Sequence, residues 1–373
     1  MNYLERPKYH FKAGKGWMND PNGLVYYKGW YHIFYQHIPD YEKPSFKGPT
    51  SDRIMVWGHA RTKDFITYEE LPVAIRPEFD YESHGCWSGT ATVKDDVLYI
   101  FYASVTRGDD GADYGKQTVS MAYSTDGISF TKCDKNPIIV MDTPDGSNDF
   151  RDPAVINDNG RFYIVMASGH KESKEARLLL YESDDMISWA YKGIACRWEN
   201  KNFAECPSFL KAGDKYLLAT SVCGDDGHFF TINFGDFKDG VFTVENSASI
   251  DKGPDSYAGQ VFSDFLGRSI LMCWIPGWAY VDFTQNDVGC LSVPKEIKYE
   301  NGKITVYPIK EIQHLLKNSD PAVKILEKGF TVERYKREPV ICEDEIRDIK
   351  ILRDGNYLEI FINGGEKTYS ILL

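Results

Sequence analysis

The stretch DPNGLVYYKGWYHIFY, residues 20–35, combines a turn rich in Pro and Gly, a short strand, a Lys-Gly turn and a second strand rich in aromatic residues. Asn, Asp, Pro and Gly are typical of turns, and runs of Val, Ile, Tyr and Phe are typical of strands. The stretch therefore predicts a β-hairpin that follows a tight turn. Asp20 lies in this turn, so it is either an ordinary turn residue or a carboxylate held rigidly enough to act as a nucleophile.

The same layout occurs four more times along the chain. In each copy a polar residue precedes Pro or Gly, and a strand, a tight turn and a second strand follow, with copies spaced by roughly 50–70 residues. Helical periodicity is nearly absent before residue 308. We predict an all-β fold in which residues 1–308 form a five-bladed β-propeller, each blade being a four-stranded antiparallel sheet. The equivalent polar positions are Asp20, Ser88, Asp152, Glu205 and the turn 257–260.

The composition limits the classes of function. The chain has 373 residues, of which 42% are hydrophobic and 14% aromatic, and this content suffices for one large packed domain with a small appendage. Its 55 acidic and 43 basic residues give a net charge of -12. This charge argues against a nucleic acid or an anionic membrane as partner, because both need a cationic surface. A neutral ligand fits better, although a local basic pocket could bind one phosphate.

The N-terminus and the cysteines predict a cytoplasmic protein. The first residues contain no apolar run typical of a signal peptide, and no later stretch is long enough to span a bilayer. The eight cysteines are scattered without a Cys-x-x-Cys pair or a Cys/His cluster, so we expect free thiols, no metal and no cofactor. The alternative is a disulfide-bonded secreted protein whose leader is absent from the sequence.

Three acids are the candidate catalytic residues. Equivalent positions of propeller blades meet at one end of the central axis, which would bring Asp20, Asp152 and Glu205 into one pocket. Each alone could be a turn or cap residue, but three like charges together are unfavourable unless chemistry requires them. Two carboxyl groups that flank a glycosidic bond perform glycoside hydrolysis. Asp20 suits direct attack, the apolar neighbours of Glu205 favour its protonated form, and Arg151 is expected to keep Asp152 ionised and to bind sugar hydroxyls.

A sugar also needs hydrogen-bond partners and apolar platforms. Candidate partners are Asn19, Gln36 and Ser88, and candidate platforms are Trp57, Trp87, Trp274 and Trp278. Each Trp could instead pack between blades, as most do in propellers. His59 fits a core histidine better than a catalytic one.

At this point the chain resembles glycoside hydrolase family 32, the β-fructosidases that include invertases and sucrose-6-phosphate hydrolases. The resemblance covers roughly residues 6–308. It rests on seven motifs in order: WMNDPNG (17–23), FYQ (34–36), WGHA (57–60), CWSGT (86–90), FRDP (150–153), ECP (205–207) and LSVPKE (291–296). The family has a five-bladed propeller, as the repeats predict.

The resemblance implies a role for each acid. Asp20 is then the nucleophile on the anomeric carbon of a terminal fructofuranosyl unit, Glu205 the acid/base and Asp152 the stabiliser of the transition state, aided by Arg151. It also implies fructose contacts from Asn19, Gln36, Trp57, Ser88 and Trp274. Retention of configuration, which is typical of the family, implies that the Asp20 and Glu205 carboxyls lie about 5–5.5 Å apart.

Departures from the family pattern leave the leaving group open. The family usually continues after Gln36 with Asn-Pro and a short loop that bears a Trp, whereas here a longer segment offers Tyr41 and Phe46. Before Gln260 the family has Ala-Pro, and this chain has Ala-Gly. We therefore expect a small carbohydrate substrate that carries glucose, glucose 6-phosphate or another fructose.

Three alternative functions stay open. The same covalent intermediate could serve a fructosyltransferase. A non-catalytic carbohydrate-binding propeller is possible because fold alone does not establish function. A sibling propeller family that acts on arabinosides inverts configuration, with carboxyls about 6.5–9.5 Å apart.

The C-terminal region, residues 309–373, is shorter than the two-sheet sandwich that the family usually appends. We predict a short helix over 309–318, strands near 322–326, 330–334 and 340–342, and a hairpin around the Asp-Gly turn at 354–355. A reduced sandwich of this kind would leave a sheet face or edge exposed. We therefore expect a second subunit to cover it, giving a homo-oligomer.

Overall fold

The computed structural model describes residues 6–39, 54–108, 114–275 and 289–373. These residues form a fold that is nearly all β, as predicted. Its two helical segments are short 3₁₀ helices, Asp80–Glu82 and Lys310–Leu315. Within these ranges no helix is both long and apolar enough to cross a bilayer.

The strands up to Pro308 group into antiparallel sheets in which consecutive strands are neighbours. The first sheet has β1 (Trp17–Tyr27), β2 (Trp30–Ile38), β3 (Val56–Thr62) and β4 (Tyr68–Ile75). The second has β5 (Gly85–Lys94), β6 (Val97–Val105), β7 (Gln117–Ser124) and β8 (Thr131–Lys132), and β9 (Ile139–Val140) pairs with β7.

Three further sheets repeat this pattern. The third has β10 (Phe150–Asp158), β11 (Arg161–His170), β12 (Glu175–Ser183) and β13 (Ala190–Glu199). The fourth has β14 (Phe203–Ala212), β15 (Lys215–Gly224), β16 (Gly227–Lys238) and β17 (Val241–Ala248). The fifth has β18 (Tyr257–Ser263), β19 (Ser269–Ile275), β21 (Lys295–Glu300) and β22 (Lys303–Pro308), while β20 (Cys290–Leu291) pairs with β19.

The first strands of these sheets form a closed ring, because β1 contacts β5, and further contacts join β5 to β10, β10 to β14, β14 to β18 and β18 to β1. Neighbouring sheets pack through apolar clusters. Between the third and fourth sheets, for example, Leu178, Phe209, Leu218 and Phe237 share one cluster, and the rings of Phe209 and Phe237 meet edge-on at 5.0 Å. The ring is thus held by apolar packing between sheets as well as by strand pairing within them.

Each first strand carries a β-bulge at which the pairing skips two residues. The skipped pairs are 19–20, 87–88, 152–153, 206–207 and 258–259. The predicted equivalence of the Pro and Gly positions is therefore off by one residue, because Pro21 and Gly89 follow their bulges whereas Pro153, Pro207 and Gly259 lie inside theirs. Pairing register, rather than residue type, decides which positions are equivalent.

The bulge also corrects the predicted setting of Asp20. We expected a turn that precedes the strand, but β1 already begins at Trp17 and Asp20 lies within it. A bulge leaves its residues out of the ladder, so Asp20 is not strand-paired, whereas Pro21, directly after it, pairs with Tyr35 again.

The C-terminal strands form two small sheets. One has β23 (Val323–Ile325), β24 (Phe330–Arg334) and β25 (Arg337–Cys342), and the other has β26 (Ile349–Asp354), β27 (Tyr357–Ile362) and β28 (Lys367–Leu372). The predicted strands and hairpin are confirmed, and β28 was not predicted. The helix that we predicted over 309–318 is a shorter 3₁₀ helix of six residues, Lys310–Leu315. Its buried residue is Ile312.

The sheet β26–β28 is covered on both faces. Leu358 and Ile360 pack against the sheet β23–β25, while Leu352 and Phe361 belong to the cluster that joins the first and fifth sheets. The expected exposed face is therefore not on this sheet. Exposed apolar side chains lie instead on and beside β23–β25, among them Ile341, which is 59% exposed. Oligomeric state stays a prediction.

A buried charge network fixes the C-terminal sheets to the ring. The Glu359 carboxylate accepts hydrogen bonds from Lys295 Nζ at 2.8 Å, from His10 Nε2 at 2.9 Å and from the Val293 amide at 2.8 Å. His10 Nδ1 lies 3.0 Å from Asp354 Oδ2, and all four charged side chains are almost fully buried. Burial alone would raise the pKa of Glu359, but Lys295 and His10 outweigh it and lower that pKa to about 2.

We predict that Glu359→Gln lowers the free energy of unfolding at pH 7 by about 3–5 kcal/mol, because Lys295 and His10 lose a buried counter-charge. Urea denaturation measures the change. The matched control is Glu366→Gln on a surface ion pair with Arg347, which should change stability by less than about 1 kcal/mol. Equal stability of the two variants would contradict the role of the network.

The pH dependence of stability gives a second test of the same carboxylate. Because the folded-state pKa of Glu359 lies below its ordinary value of 4.5, its contribution is present above about pH 4.5 and is lost as the pH falls toward 2. We therefore expect the stability difference between the wild type and Glu359→Gln to shrink over this window. A difference that stays constant down to pH 2 would show that the charge of Glu359 is not what stabilises the fold.

Candidate active site

The bulges of the first strands bring the candidate acids to one end of the ring. Asp20 and Ser88 occupy the second bulge position of β1 and β5, Asp152 occupies the first bulge position of β10, and Glu205 directly precedes the bulge of β14. Asp152 has a positive φ of 56°, a conformation that Asp tolerates better than most residues. The three acids thus occupy different positions relative to their bulges, but their side chains lie close together.

Asp20 is held by three neighbouring donors. Asn19 Nδ2 donates to Asp20 Oδ1 at 3.0 Å, and Ser88 Oγ donates to Oδ2 at 2.6 Å. The Cys206 thiol lies 3.4 Å from the same Oδ2. Burial raises the pKa of Asp20 and the charge of Glu205 acts in the same direction, while the bonds from Ser88, Asn19 and Cys206 lower it. The carboxylate is thus oriented by donors from β1, β5 and β14.

Asp152 meets the other side of Cys206. The Cys206 backbone N–H donates to Asp152 Oδ2 at 2.9 Å, and its Sγ lies 3.7 Å from that oxygen. We expected Arg151 to keep Asp152 ionised, but burial outweighs the guanidinium, and with the charges of Glu205 and Asp20 it raises the pKa of Asp152 to about 7. The pKa of Asp152 therefore lies well above the ordinary value of an aspartate.

Glu205 is clamped between a cation and a hydroxyl. Arg151 Nε and Nη2 donate to Glu205 Oε1 at 3.3 and 3.0 Å, and the Tyr257 hydroxyl donates to Oε2. Cys223 Sγ lies 3.6 Å from the same Oε2. We expected an apolar setting, because the sequence neighbours of Glu205 are apolar. A residue from another sheet, Arg151, supplies the charge that sequence neighbours could not reveal.

Arg151 is itself anchored on the side away from Glu205. Its Nη1 donates to Asp149 Oδ1 at 2.7 Å, and its guanidinium lies 5.1 Å from the centre of the Phe203 ring. Its side chain is only 8% exposed. The guanidinium is therefore fixed on Glu205, and the predicted contact between Arg151 and sugar hydroxyls remains untested.

The predicted polar sugar contacts lie around Asp20. Ser88 and Asn19 bind Asp20 directly, and Trp17 Nε1 donates to Asn19 Oδ1 at 2.7 Å. Gln36 is also buried, and its Nε2 donates to the Cys86 carbonyl at 3.2 Å. Ser88 and Asn19 thus orient the acid, whereas Gln36 supports the strand that carries Ser88.

The predicted Trp platforms differ in exposure. Trp57 and Trp274 are fully buried, and Trp57 Nε1 donates to the Trp87 carbonyl at 2.9 Å. Their rings pack between sheets and do not form an open face. This agrees with the alternative that a Trp packs between blades. Trp87 is partly exposed and meets the Tyr114 ring edge-on at 5.1 Å. Trp278, Tyr41 and Phe46 lie outside the described residues.

Two further expectations from the sequence are confirmed. His59 is a core residue whose Nε2 lies 3.0 Å from His32 Nδ1, and burial lowers its pKa well below the ordinary value. All eight cysteines are free thiols.

Sequence reasoning assigned no role to four residues of the site, although it placed the turn 257–260, which contains Tyr257, at a position equivalent to the acids. Tyr257 and Cys223 bind Glu205, Asp149 anchors Arg151, and Cys206 joins Asp20 to Asp152. Cys206 could have been found from its place beside Glu205 at a repeat position. Cys223 and Asp149 had no signal, because strand pairing and loop geometry bring them in.

The arrangement fits acid and nucleophilic chemistry by carboxyl groups. Asp20 is oriented by hydrogen bonds to its ionised form, Glu205 is paired with a guanidinium through one oxygen, and Asp152 titrates near neutrality. Carboxyl groups in distinct environments are the usual means of dividing acid and base roles in one site. Among the described residues no group of His, Cys, Asp and Glu is placed to hold a metal ion.

Comparison with known proteins places this geometry in a family. Residues 10–308 match the model described as the glycosyl hydrolases family 32 N-terminal domain. The chain is 31% identical to the raffinose invertase of Escherichia coli, over 84% of this chain and 67% of that protein. It is also 31% identical to the sucrose-6-phosphate hydrolase of Zymomonas mobilis, over 93% of this chain and 69% of that protein.

A solved structure shows the same fold. The family 32 beta-fructofuranosidase of Bombyx mori superposes with a TM-score of 0.83 at 27% identity, covering 99% of this chain and 89% of that one. The family match spans the strands that carry Asp20, Asp152 and Glu205. The chain therefore belongs to glycoside hydrolase family 32 and is a glycoside hydrolase of the β-fructofuranosidase type.

Proposed function

We propose that the protein is a retaining hydrolase that releases terminal β-D-fructofuranosyl units from sucrose, sucrose 6-phosphate or short fructo-oligosaccharides. The observation that carries the proposal is the meeting of Asp20 and Asp152 on the two sides of Cys206, with Glu205 clamped beside them. The names of the relatives support the substrate class, and a Bombyx mori family 32 variant has been solved with sucrose.

In the first step Asp20 attacks the anomeric carbon of the fructosyl unit while Glu205 donates a proton to the leaving oxygen. Glu205 Oε1 accepts two N–H groups from the Arg151 cation, whereas Oε2 faces the neutral Tyr257 hydroxyl and Cys223 thiol, so Oε2 is the atom that carries the proton. Burial raises the pKa of Tyr257 well above its ordinary value, so its hydroxyl stays a neutral donor beside this atom.

In the second step Glu205 takes a proton from water, which attacks the anomeric carbon and releases Asp20. Asp152 is proposed to hydrogen-bond the fructose hydroxyls. These bonds strengthen as charge develops on the ring, which stabilises the transition state. Asn19, Gln36, Trp57, Ser88, Arg151 and Trp274 are proposed to shape the fructosyl pocket, either by contact or by holding the residues that make contact.

We also propose that the ring of sheets is a five-bladed propeller and that it spans residues 1–308, with residues 309–373 as a separate module. The closed contacts among β1, β5, β10, β14 and β18 support the blade count. The buried Glu359 network, which crosses the proposed boundary, implies that the module and the propeller unfold together.

We predict that Asp20→Asn lowers kcat on sucrose by on the order of 10³-fold or more, because the amide is a poor nucleophile. Glu205→Gln should lower it by about 10²–10⁴-fold, because proton transfer to the leaving oxygen is lost. Fructose release from sucrose, sucrose 6-phosphate and oligomers of inulin and levan measures both. Asp184→Asn, which alters an exposed carboxylate, is the control. Near-normal rates in either active-site variant would overturn the assignment.

The anomeric outcome separates this mechanism from inversion. Two displacements at the same carbon return the original configuration, so NMR of the first turnovers should show β-fructofuranose. An inverted first product would refute Asp20 as a covalent nucleophile while leaving fructoside hydrolysis intact.

The pH profile tests whether the charge of Glu205 raises the pKa of Asp20. Burial raises the pKa of Asp20, and the neighbouring charge of Glu205 raises it further. Removing that charge by Glu205→Gln should therefore move the acidic limb of kcat/KM to lower pH, measured on β-D-fructofuranosyl fluoride, whose leaving group needs no proton. Ser88→Ala, which removes a donor to Asp20, should move the same limb to higher pH. Shifts in the opposite directions would contradict the geometry.

A further inference from the structure

Residues 250–256, which join β17 to β18, lie along the last strand of the chain, β28. We call them the bridging segment. The Lys252 N–H donates to the Thr368 carbonyl at 2.8 Å, and the Thr368 N–H donates to the Ile250 carbonyl at 3.1 Å. These bonds form a parallel bridge between Asp251 and Thr368. The segment that leads into the fifth sheet is thus hydrogen-bonded to a C-terminal strand.

Two further contacts hold the bridging segment closely against β28. Asp251 accepts the Ser370 hydroxyl at 2.6 Å and the Ser370 N–H at 3.1 Å. Gly253 lies so near that a Cβ atom there would be 2.3 Å from the Ser370 carbonyl oxygen and 2.4 Å from the Ser370 nitrogen. Only glycine allows this approach, so the fit depends on backbone contact as well as on side chains.

A buried ion pair fixes the end of the bridging segment that leads into β18. Arg334 of β24 donates through Nη2 to both carboxylate oxygens of Asp255, at 3.0 and 2.7 Å. The Leu372 N–H of β28 donates to Asp255 at 2.7 Å. The side chains of Arg334 and Asp255 are 1% and 0% exposed. Because separating them would leave an unpaired buried charge, Asp255 is held firmly against both C-terminal sheets.

Asp255 lies two residues before Tyr257, which is the first residue of β18. The Tyr257 hydroxyl donates to Glu205 Oε2. Tyr257 pairs with Trp274 on the neighbouring strand, but the bulge at 258–259 interrupts the ladder directly after it. Strand pairing therefore holds Tyr257 on its C-terminal side only through a bulge, and the bridging segment holds it on the other side.

The placement of the Tyr257 hydroxyl affects the proposed proton transfer. As Glu205 gives its proton to the leaving oxygen, Oε2 becomes negatively charged, and a hydrogen bond from a fixed donor to this atom strengthens. A donor that is displaced by about 1 Å loses much of this stabilisation. Whatever fixes the backbone at Tyr257 therefore contributes to the departure of the leaving group.

We propose that Asp255 and Arg334 are positioning residues for the reaction, which hold the Tyr257 hydroxyl on Glu205 Oε2 while the leaving group departs. They act through the bridging segment and not by contact with the substrate. This inference rests on the proposed function, in which Glu205 is the proton donor. It gives the C-terminal sheets a part in the reaction in addition to their part in stability.

The test compares kcat/KM on sucrose with kcat/KM on β-D-fructofuranosyl fluoride, whose leaving group needs no proton. Tyr257→Phe is the reference. Its value on sucrose should fall about tenfold, because one hydrogen bond to a developing charge is lost, and its value on the fluoride should stay within about twofold. Asp255→Asn should show the same selective loss on sucrose, about fivefold, because the donor stays present but is less well placed.

A second variant tests the same contact without disturbing the buried ion pair. Ser370→Ala removes one hydrogen bond to Asp251 and leaves Arg334 paired with Asp255, so it decides the outcome if Asp255→Asn does not fold. We expect a loss of about threefold on sucrose and none on the fluoride.

The matched control is Glu359→Gln, which weakens a different buried ion pair of the C-terminal sheets. Glu359 bonds to His10, Val293 and Lys295, and none of these residues lies in the bridging segment. At a temperature at which circular dichroism shows every variant to be folded, this variant should leave the ratio of the two kcat/KM values unchanged.

The outcomes separate this inference from the proposed function. Equal losses on both substrates, or no loss on either, in Asp255→Asn and Ser370→Ala would overturn the positioning role while leaving fructoside hydrolysis standing. The same selective loss in Glu359→Gln, or its absence in Tyr257→Phe, would also overturn it. A wild-type protein that cleaves neither substrate would overturn the proposed function itself.

Discussion

The gathering of three carboxyl groups at one end of the ring is the constraint on which the rest of the site depends. Like charges in a buried pocket repel each other and are poorly solvated, so each must be offset by a partner. Asn19 and Ser88 donate to Asp20, Cys206 donates to Asp152, and Arg151 pairs with Glu205. The contacts of Ser88 with Asp20, of Cys206 with Asp152 and of Arg151 with Glu205 each join two different sheets. The chemistry therefore requires the sheets to be fixed in place relative to one another.

Two features of the fold meet this requirement. The bulges take residues 19–20, 152–153 and 206–207 out of strand pairing, which frees their backbone and side chains to face the pocket. The closed ring of first strands then sets the distances between them. The buried pairs of Glu359 with Lys295 and of Arg334 with Asp255 extend the fixation to the C-terminal sheets, where both pairs are almost fully desolvated.

Much of the fold could be predicted from the sequence because turn chemistry and strand composition are local signals. The turns at Lys28-Gly29, Asp95-Asp96 and Asn159-Gly160 all have positive φ at both residues, the conformation of the two-residue hairpin turns that Asn, Asp and Gly favour. The predicted equivalence of positions between repeats is wrong by one residue, because the type of a single residue does not determine the hydrogen-bond register of its strand. The strand β28 was missed, because its pattern becomes distinctive only when both faces of its sheet are covered.

That the three acids lie close together could also be predicted, but their electrostatics could not. The sequence placed Arg151 beside Asp152 and apolar residues beside Glu205, so it suggested an ionised Asp152 and an uncharged setting for Glu205. Alternate residues of a strand point to opposite faces, and the guanidinium of Arg151 reaches Glu205 on the neighbouring sheet instead. Burial then raises the pKa of Asp152 to about 7. Sequence neighbours are a poor guide to charge where partners come from other sheets.

A covalent bond between Asp20 and the fructosyl unit is the step that distinguishes the proposed retaining mechanism from inversion. The direct measurement is peptide mass spectrometry of Glu205→Gln after incubation with β-D-fructofuranosyl fluoride, because fluoride leaves without an acid and the missing base slows hydrolysis of the intermediate. We expect one fructosyl adduct on the peptide that contains Asp20. Turnover without any adduct, or an adduct on the peptide that contains Asp152, would contradict it.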